Sequence, residues 1–146
     1  MVKVIYVIII LVLSGCVSHA PSLPDGYVGD TATIDDSFQR LGRSKANLFY
    51  IKLMDGKPIY NGLKATQAAT YGKGSQLIAM GASRSIPAQP LVLYMVGQVY
   101  HSAPIGYMFG AGSNYIVEGE LEFTPEANAR YRVNGSLSEN YSAIWI

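Results

Sequence analysis

The sequence predicts an all-β domain: a small antiparallel β-sandwich of about seven strands after a signal peptide and a tether. Three observations carry that expectation. From Asn47 onward apolar and polar residues alternate with a period of two, the spacing of a strand with one buried face. Clusters of Gly, Pro, Asn and Asp break those runs at roughly the eight- to twelve-residue intervals of a sandwich. Helical spacing is confined to the short "SFQRL", which Asp36 or Ser37 would cap and Gly42 would end. With no internal repeat and no second domain visible, residues 27–146 read as one unit of ordinary length.

In chain order, Lys3 supplies a positive charge and Val4 to Leu13, "VIYVIIILVL", is apolar throughout. A run of about ten residues is too short for a membrane span, which takes about 17 to 25. It has the order of a secretory signal: charged start, apolar centre, small residues at the cut. There the motif Leu13-Ser14-Gly15-Cys16 resembles the lipobox of bacterial lipoproteins, over about the first sixteen residues. The resemblance implies that lipoprotein-processing enzymes act on this chain. They attach a diacylglycerol thioether to Cys16, cleave between Gly15 and Cys16, and often acylate the new amino group. In that family Asp after the cysteine favours retention at the inner membrane. Val17 stands there instead, which implies the outer membrane, facing the periplasm. Residues 1–15 are then the signal peptide and 16–26 the lipidated cysteine and flexible tether, with Pro21 and Pro24 stiffening the latter.

Composition excludes several function classes. The chain has eleven basic and ten acidic residues, so loss of Lys3 with the signal leaves ten of each and no net charge. Nucleic acid is therefore not an expected partner, since its binding depends on clustered Lys and Arg. Cys16 is the only cysteine, and once acylated it leaves no thiol for disulfides, metals or redox chemistry. Stability must come from a hydrophobic core, which a chain of this length can bury. The acidic residues Asp30, Asp35 and Asp36 lack the spacing of a calcium loop and read as turn and cap residues.

The strands follow. "NLFYIKLM", Asp55-Gly56 and "KPIY" form a hairpin signal, and "DGKPIYNG" is distantly similar to the hairpins of prealbumin-like modules. The expected sandwich is accordingly Ig-like or prealbumin-like. "SQLIAMGA" and "PLVLYMVGQVYH" are rich in aliphatic and aromatic strand formers. "YIVEGELEF" and "ARYRVNGSL" then alternate so that, with "TPEAN" as a turn, Glu122 would face Arg130 and Glu120 would face Arg132. Asn134-Gly135 could alternatively be a hairpin turn of its own. "YSAIWI" is a final strand with Trp145 expected in the core.

No catalytic motif is legible. His101 lies in none of the nucleophile or metal-ligand patterns, so an activity built on it, a hydrolase, is the remotest reading. Glu118, Glu120 and Glu122 share one face of one strand and cannot flank a cleft as a glycosidase pair does. No cofactor is expected. "LVLYMVGQVY" is apolar on both faces, so the Val92, Tyr94, Val96 and Tyr100 face must lie under another element or form an exposed patch, a mark of interaction sites. The sequence thus reads as a non-enzymatic accessory domain of the cell envelope. It would contact membrane lipid through Cys16 and an envelope protein through Tyr94 and Tyr100. The alternative is a glycan or small-ligand module using Tyr107, Phe109 and Tyr115 on the glycine-rich loop after His101.

Overall fold

The computed structural model describes residues 21–103 and 114–146. Strands take up 49% of it and a single helix 8%, so the domain is a small, sandwich-like all-β fold without a barrel. The elements are β1 (Thr31–Asp35), β2 (Ser37–Arg40), β3 (Lys45–Met54), β4 (Lys57–Pro58), α1 (Gly62–Thr70), β5 (Ser83–Pro87), β6 (Leu91–His101), β7 (Ile116–Phe123), β8 (Arg130–Arg132), β9 (Asn134–Leu137) and β10 (Ser142–Trp145). A five-stranded sheet runs β2-β3-β6-β7, with β4 also on β3; a second sheet is β5-β1-β8, and β10-β9 is a third. Pairing is antiparallel throughout except for β1 with β8.

The central strand β6 pairs with β3 and β7 at its edges and packs against a hydrophobic cluster on each face, which explains its near-continuous apolar sequence. Leu91, Leu93 and Met95 join Ile34, Phe49, Ile51, Ile86 and Val133 in the main core. Val96 turns the other way and joins Ala46, Leu48 and Tyr50 beneath Leu77 and Ala79, with Leu63 of α1 packed against them. Each such side chain contributes about 1.5 to 3 kcal/mol when fully buried. Phe49 links the layers, because its ring lies against both Gly97 of β6 and Gly135 of β9. The Asp55-Gly56 hairpin forms as expected. Its two residues have φ of 49° and 75°, the positive values a tight turn of this kind requires.

Several expectations are corrected. "SFQRL" is not a helix: Ser37 to Arg40 pair with Phe49 to Ala46 as β2. So short a segment cannot repay helix nucleation, whereas the edge of β3 offers it a ready ladder. A helix does form at "GLKATQAAT", where the sequence reading found none. Asn61 caps it by accepting the Lys64 N–H at 3.1 Å, and Thr66 and Thr70 face inward. Those threonines also explain why "SQLIAMGA", expected as a strand, joins no sheet. Ile78 N–H donates to Thr70 Oγ1 at 3.1 Å and Met80 N–H to Thr66 Oγ1 at 2.9 Å, while the Thr66 hydroxyl donates to the Met80 carbonyl at 3.2 Å. Helix side chains thus take the place of a ladder partner.

The expected hairpin of "YIVEGELEF" with "ARYRVNGSL" is also absent. Glu122 lies opposite Val92 and Glu120 opposite Tyr94, both on β6. The segment after β7 is captured by β1 instead: Asn128 N–H donates to the Thr31 carbonyl at 2.8 Å and Thr33 N–H to that of Ala129 at 2.9 Å. Beyond the buried Val133 the chain changes sheet, and Asn134 and Gly135, rather than forming a turn, pair with Trp145 and Ile144. Trp145 is 46% exposed, not core. The two-residue period sends Ile144 and Ile146 inward in its place.

Candidate functional site

Two arrangements stand out, and they differ in kind. The first is a buried polar junction at Asp36, where the chain passes from β1 in one sheet to β2 in another. Its Oδ1 accepts the Ile51 N–H at 3.1 Å, its Oδ2 accepts the Gly62 N–H at 2.7 Å, and Arg84 Nη2 closes an ion pair on it. The Asp36 and Arg84 side chains are 0% and 6% exposed. The β2–β3 ladder stops at Ser37↔Phe49, two residues short of Ile51, and the carboxylate supplies the acceptor that a longer β2 would have provided. Asp36 therefore serves a helix amino end, but that of α1 rather than of "SFQRL". Burial pushes its carboxyl above the usual range, opposed by Arg84 and by the two N–H donors. Every polar contact here ties one element of this chain to another, so the junction is architectural.

Asp35 points the other way, into a shallow cleft beside Ser37, Phe38 and Arg132. Arg130 Nε donates to it at 2.7 Å from a side chain that is 70% exposed. Burial raises the Asp35 pKa, but hydrogen bonds from Arg130 and Ser83 and the charges of Arg130 and Arg132 outweigh it and hold the group below its ordinary value. Both aspartates of the "DD" pair are thus engaged by arginines.

The second arrangement is a groove of about 470 Å³ between β7 and β10. Met95, Leu121, Phe123, Tyr131, Ile144, Trp145 and Ile146 supply its apolar lining, and Glu118 and Glu120 of β7 also border it. Phe123 and Tyr131 meet edge to face at 4.9 Å, an arrangement that fixes both rings. The Tyr131 hydroxyl also accepts the Glu126 N–H at 2.9 Å. Among the described residues β7 pairs only with β6 and β10 only with β9, so each of the two strands beside the groove has one edge without a ladder partner.

The residues singled out from sequence fall as follows. Tyr94 and Tyr100 are half-buried on the outer face of β6 and pack against the Val96 cluster. That face therefore has the cover the sequence left in question, namely Leu77, Ala79 and α1. Lys52 Nζ lies 5.5 Å from the centre of the Tyr94 ring, and a hydrogen bond to Glu118 raises the Tyr94 pKa. Tyr50 beneath is pushed up to about 12, by burial and then by the charges of Asp36 and Glu118. Tyr115 is half-buried just before β7, its carbonyl accepting the Val99 N–H at 3.0 Å. His101 is buried at the end of β6, opposite Lys45. Gly15, Cys16, Tyr107 and Phe109 lie outside the described residues.

Sequence reasoning missed the groove itself. Alternation along β7 separates Leu121 and Phe123 from Glu118, Glu120 and Glu122, but it does not say that a groove opens on that side. Among the described residues no helix is long and apolar enough to cross a membrane, and no group of three His, Cys, Asp or Glu side chains is placed to hold a metal ion. Fold and groove define the class: a small all-β domain with an apolar cleft beside two edge strands. Comparison with protein-family models, with curated proteins and with solved structures finds no match to the chain.

Proposed function

We propose that this chain is a lipid-anchored, non-enzymatic accessory domain of the cell envelope, held at the outer membrane through Cys16 and facing the periplasm. On this reading it holds a partner protein in the groove between β7 and β10. The anchor is supported by the Leu13-Ser14-Gly15-Cys16 motif behind a charged start and an apolar run. Lipid chains contribute about 0.8 kcal/mol per buried CH2, and stable attachment takes more than one chain, which a diacyl or triacyl cysteine supplies.

The observation that carries the partner reading is Trp145. It is the chain's only tryptophan, 46% exposed beside an apolar cleft, and Trp and Tyr are the residues most enriched in binding hot spots. The test is recovery of a partner from detergent-solubilised envelopes on the full lipidated chain. Trp145→Ala should cut recovery by at least about tenfold while leaving the thermal melt nearly unchanged, since truncating a hot spot costs about 2 kcal/mol or more. Tyr94→Ala, on the covered outer face, is the comparator. Recovery that is indifferent to Trp145→Ala removes the groove reading. One observation favours a second reading, a small apolar ligand or glycan: the cleft volume of about 470 Å³ falls within the range of roughly 300 to 1,000 Å³ typical of ligand pockets.

A further inference from the structure

We infer that the outer edge of β7 takes up an extended partner segment as an added strand, and that the segment alternates apolar with basic side chains. This rests on the partner reading above and gives that partner its chemistry.

Backbone geometry provides the first support. In an antiparallel strand, N–H and C=O groups point alternately to the two edges, and β6 uses only one edge of β7, in register from Leu91↔Phe123 to Gln98↔Ile116. The other edge is a row of donors and acceptors with no ladder partner among the described residues, and such an edge is a template for a further strand.

Side chains then specify the occupant. Glu118, Glu120 and Glu122 are exposed on one face of β7, spaced about 7 Å apart by the two-residue rise of a strand. Neither ion pair among the described residues uses them. An added strand has the same repeat, so every second residue of the segment would stand beside a glutamate, at the Cβ separation of about 4.5 to 5.5 Å where opposite charges attract. On the opposite face Leu121 and Phe123 line the groove together with Trp145 and Ile146, which asks for apolar residues in the alternate positions. Gly119 fits the same picture. A Cβ built there meets nothing within 4 Å, and a glycine inside a strand often marks the close approach of another backbone or ligand.

A second copy of this chain is the wrong occupant. Antiparallel pairing of β7 with β7 sets Glu118 against Glu122 and Glu120 against itself, and like charges directly opposite are unfavourable. A one-residue slip turns every side chain over and drives the carboxylates into the apolar groove. The glutamate row thus repels a copy and attracts a basic strand.

The probe is a synthetic peptide matching the eight residues of β7 in length, alternating Val and Lys. Its controls are a Val–Glu counterpart and a scrambled Val–Lys peptide without alternation. Binding to the full lipidated chain in detergent is read by fluorescence anisotropy and by amide exchange over residues 116–123. The alternating basic peptide should bind at least about tenfold tighter than either control, weaken with salt, and protect the outer amides of β7. Glu118→Lys/Glu120→Lys/Glu122→Lys should reverse the preference toward the acidic peptide, and the milder Glu120→Lys should move it the same way. Equal binding of the scrambled peptide, or a preference untouched by charge reversal, overturns the inference. So does full protection of those amides without peptide, whether sedimentation then reports a dimer, with a second copy in the groove, or a monomer, with the chain's own segment there. If the peptide arms fail while Trp145→Ala still abolishes partner recovery, strand addition falls and the groove reading stands. If Trp145→Ala is also silent, both fall.

Discussion

Asp36→Ala is the substitution that should cost this domain most for the fewest atoms removed. It leaves the Arg84 guanidinium, 6% exposed, without its counter-charge, and it strips the acceptor from the Ile51 and Gly62 N–H groups. Breaking a buried pair by removing one partner costs about 3 to 5 kcal/mol, because the remaining charge is left uncompensated. A domain of this size is stable by about 5 to 15 kcal/mol in all. The variant should therefore lose about a fifth or more of its stability, or fail to accumulate. Trp145 is the only tryptophan, so chemical denaturation followed by its fluorescence reads the loss directly. Asp35→Ala is the internal control. Its partner Arg130 has a 70% exposed side chain, and exposed pairs are worth about 0 to 1 kcal/mol. In Asp36→Ala/Arg84→Ala no charge is stranded, so its cost should fall well below the sum of the two single substitutions. An Asp36→Ala variant within about 1 kcal/mol of the parent, or an Asp35→Ala variant equally damaged, would refute the assignment of Asp36 as the junction of the fold.

Three further outcomes can be measured, two from the geometry and one from the amino-terminal motif. Gly135→Ala should destabilise by about 1 to 3 kcal/mol in a denaturation curve, because the new Cβ would collide with the Phe49 ring and lie 2.7 Å from the Ala143 carbonyl oxygen. The pKa of Asp35 is depressed in the folded state, so its contribution is complete above the ordinary carboxylate value and is lost as the pH falls from there through the lower value of the folded state. Asp35→Asn should accordingly flatten the acid limb of stability against pH, and an unchanged acid limb would contradict the sign. Cys16→Ala should abolish lipid labelling and leave an uncleaved precursor, since the thiol is the acceptor; labelling that survives the change would refute the lipoprotein reading.

The sequence revealed strands more readily than their partners. Period-two alternation located β3, β6 and β7, and Asp55-Gly56 located a hairpin, because each signal lies within a dozen residues. Pairing order is set over longer distances. Nothing local in "ARYRVNGSL" says that Tyr131 will sit beside Ile34 in a parallel ladder, while the charge complementarity with β7 made a false hairpin attractive. The helix escaped because the fully buried positions of "GLKATQAAT" are Gly62, Thr66 and Thr70, which give no apolar stripe of helical spacing. Those hydroxyls satisfy the backbone of residues 78–80, which is why an apolar, strand-like segment there needs no sheet. The groove was half legible: alternation placed Leu121 and Phe123 on the side of β7 away from its glutamates. That this side stays open at Trp145 depends on where β10 ends up, which period alone does not fix.

The most direct test of the central claim is photo-crosslinking in intact envelopes. A photoreactive aromatic residue replaces Trp145 in the full chain, and the same residue at Val28, 97% exposed and outside the groove, is the control. If the groove holds a protein partner, position 145 yields a discrete protein adduct that position 28 does not, and the adduct disappears when Glu118, Glu120 and Glu122 are all changed to Lys. Adducts of equal yield at both positions, or none at 145, would contradict the account.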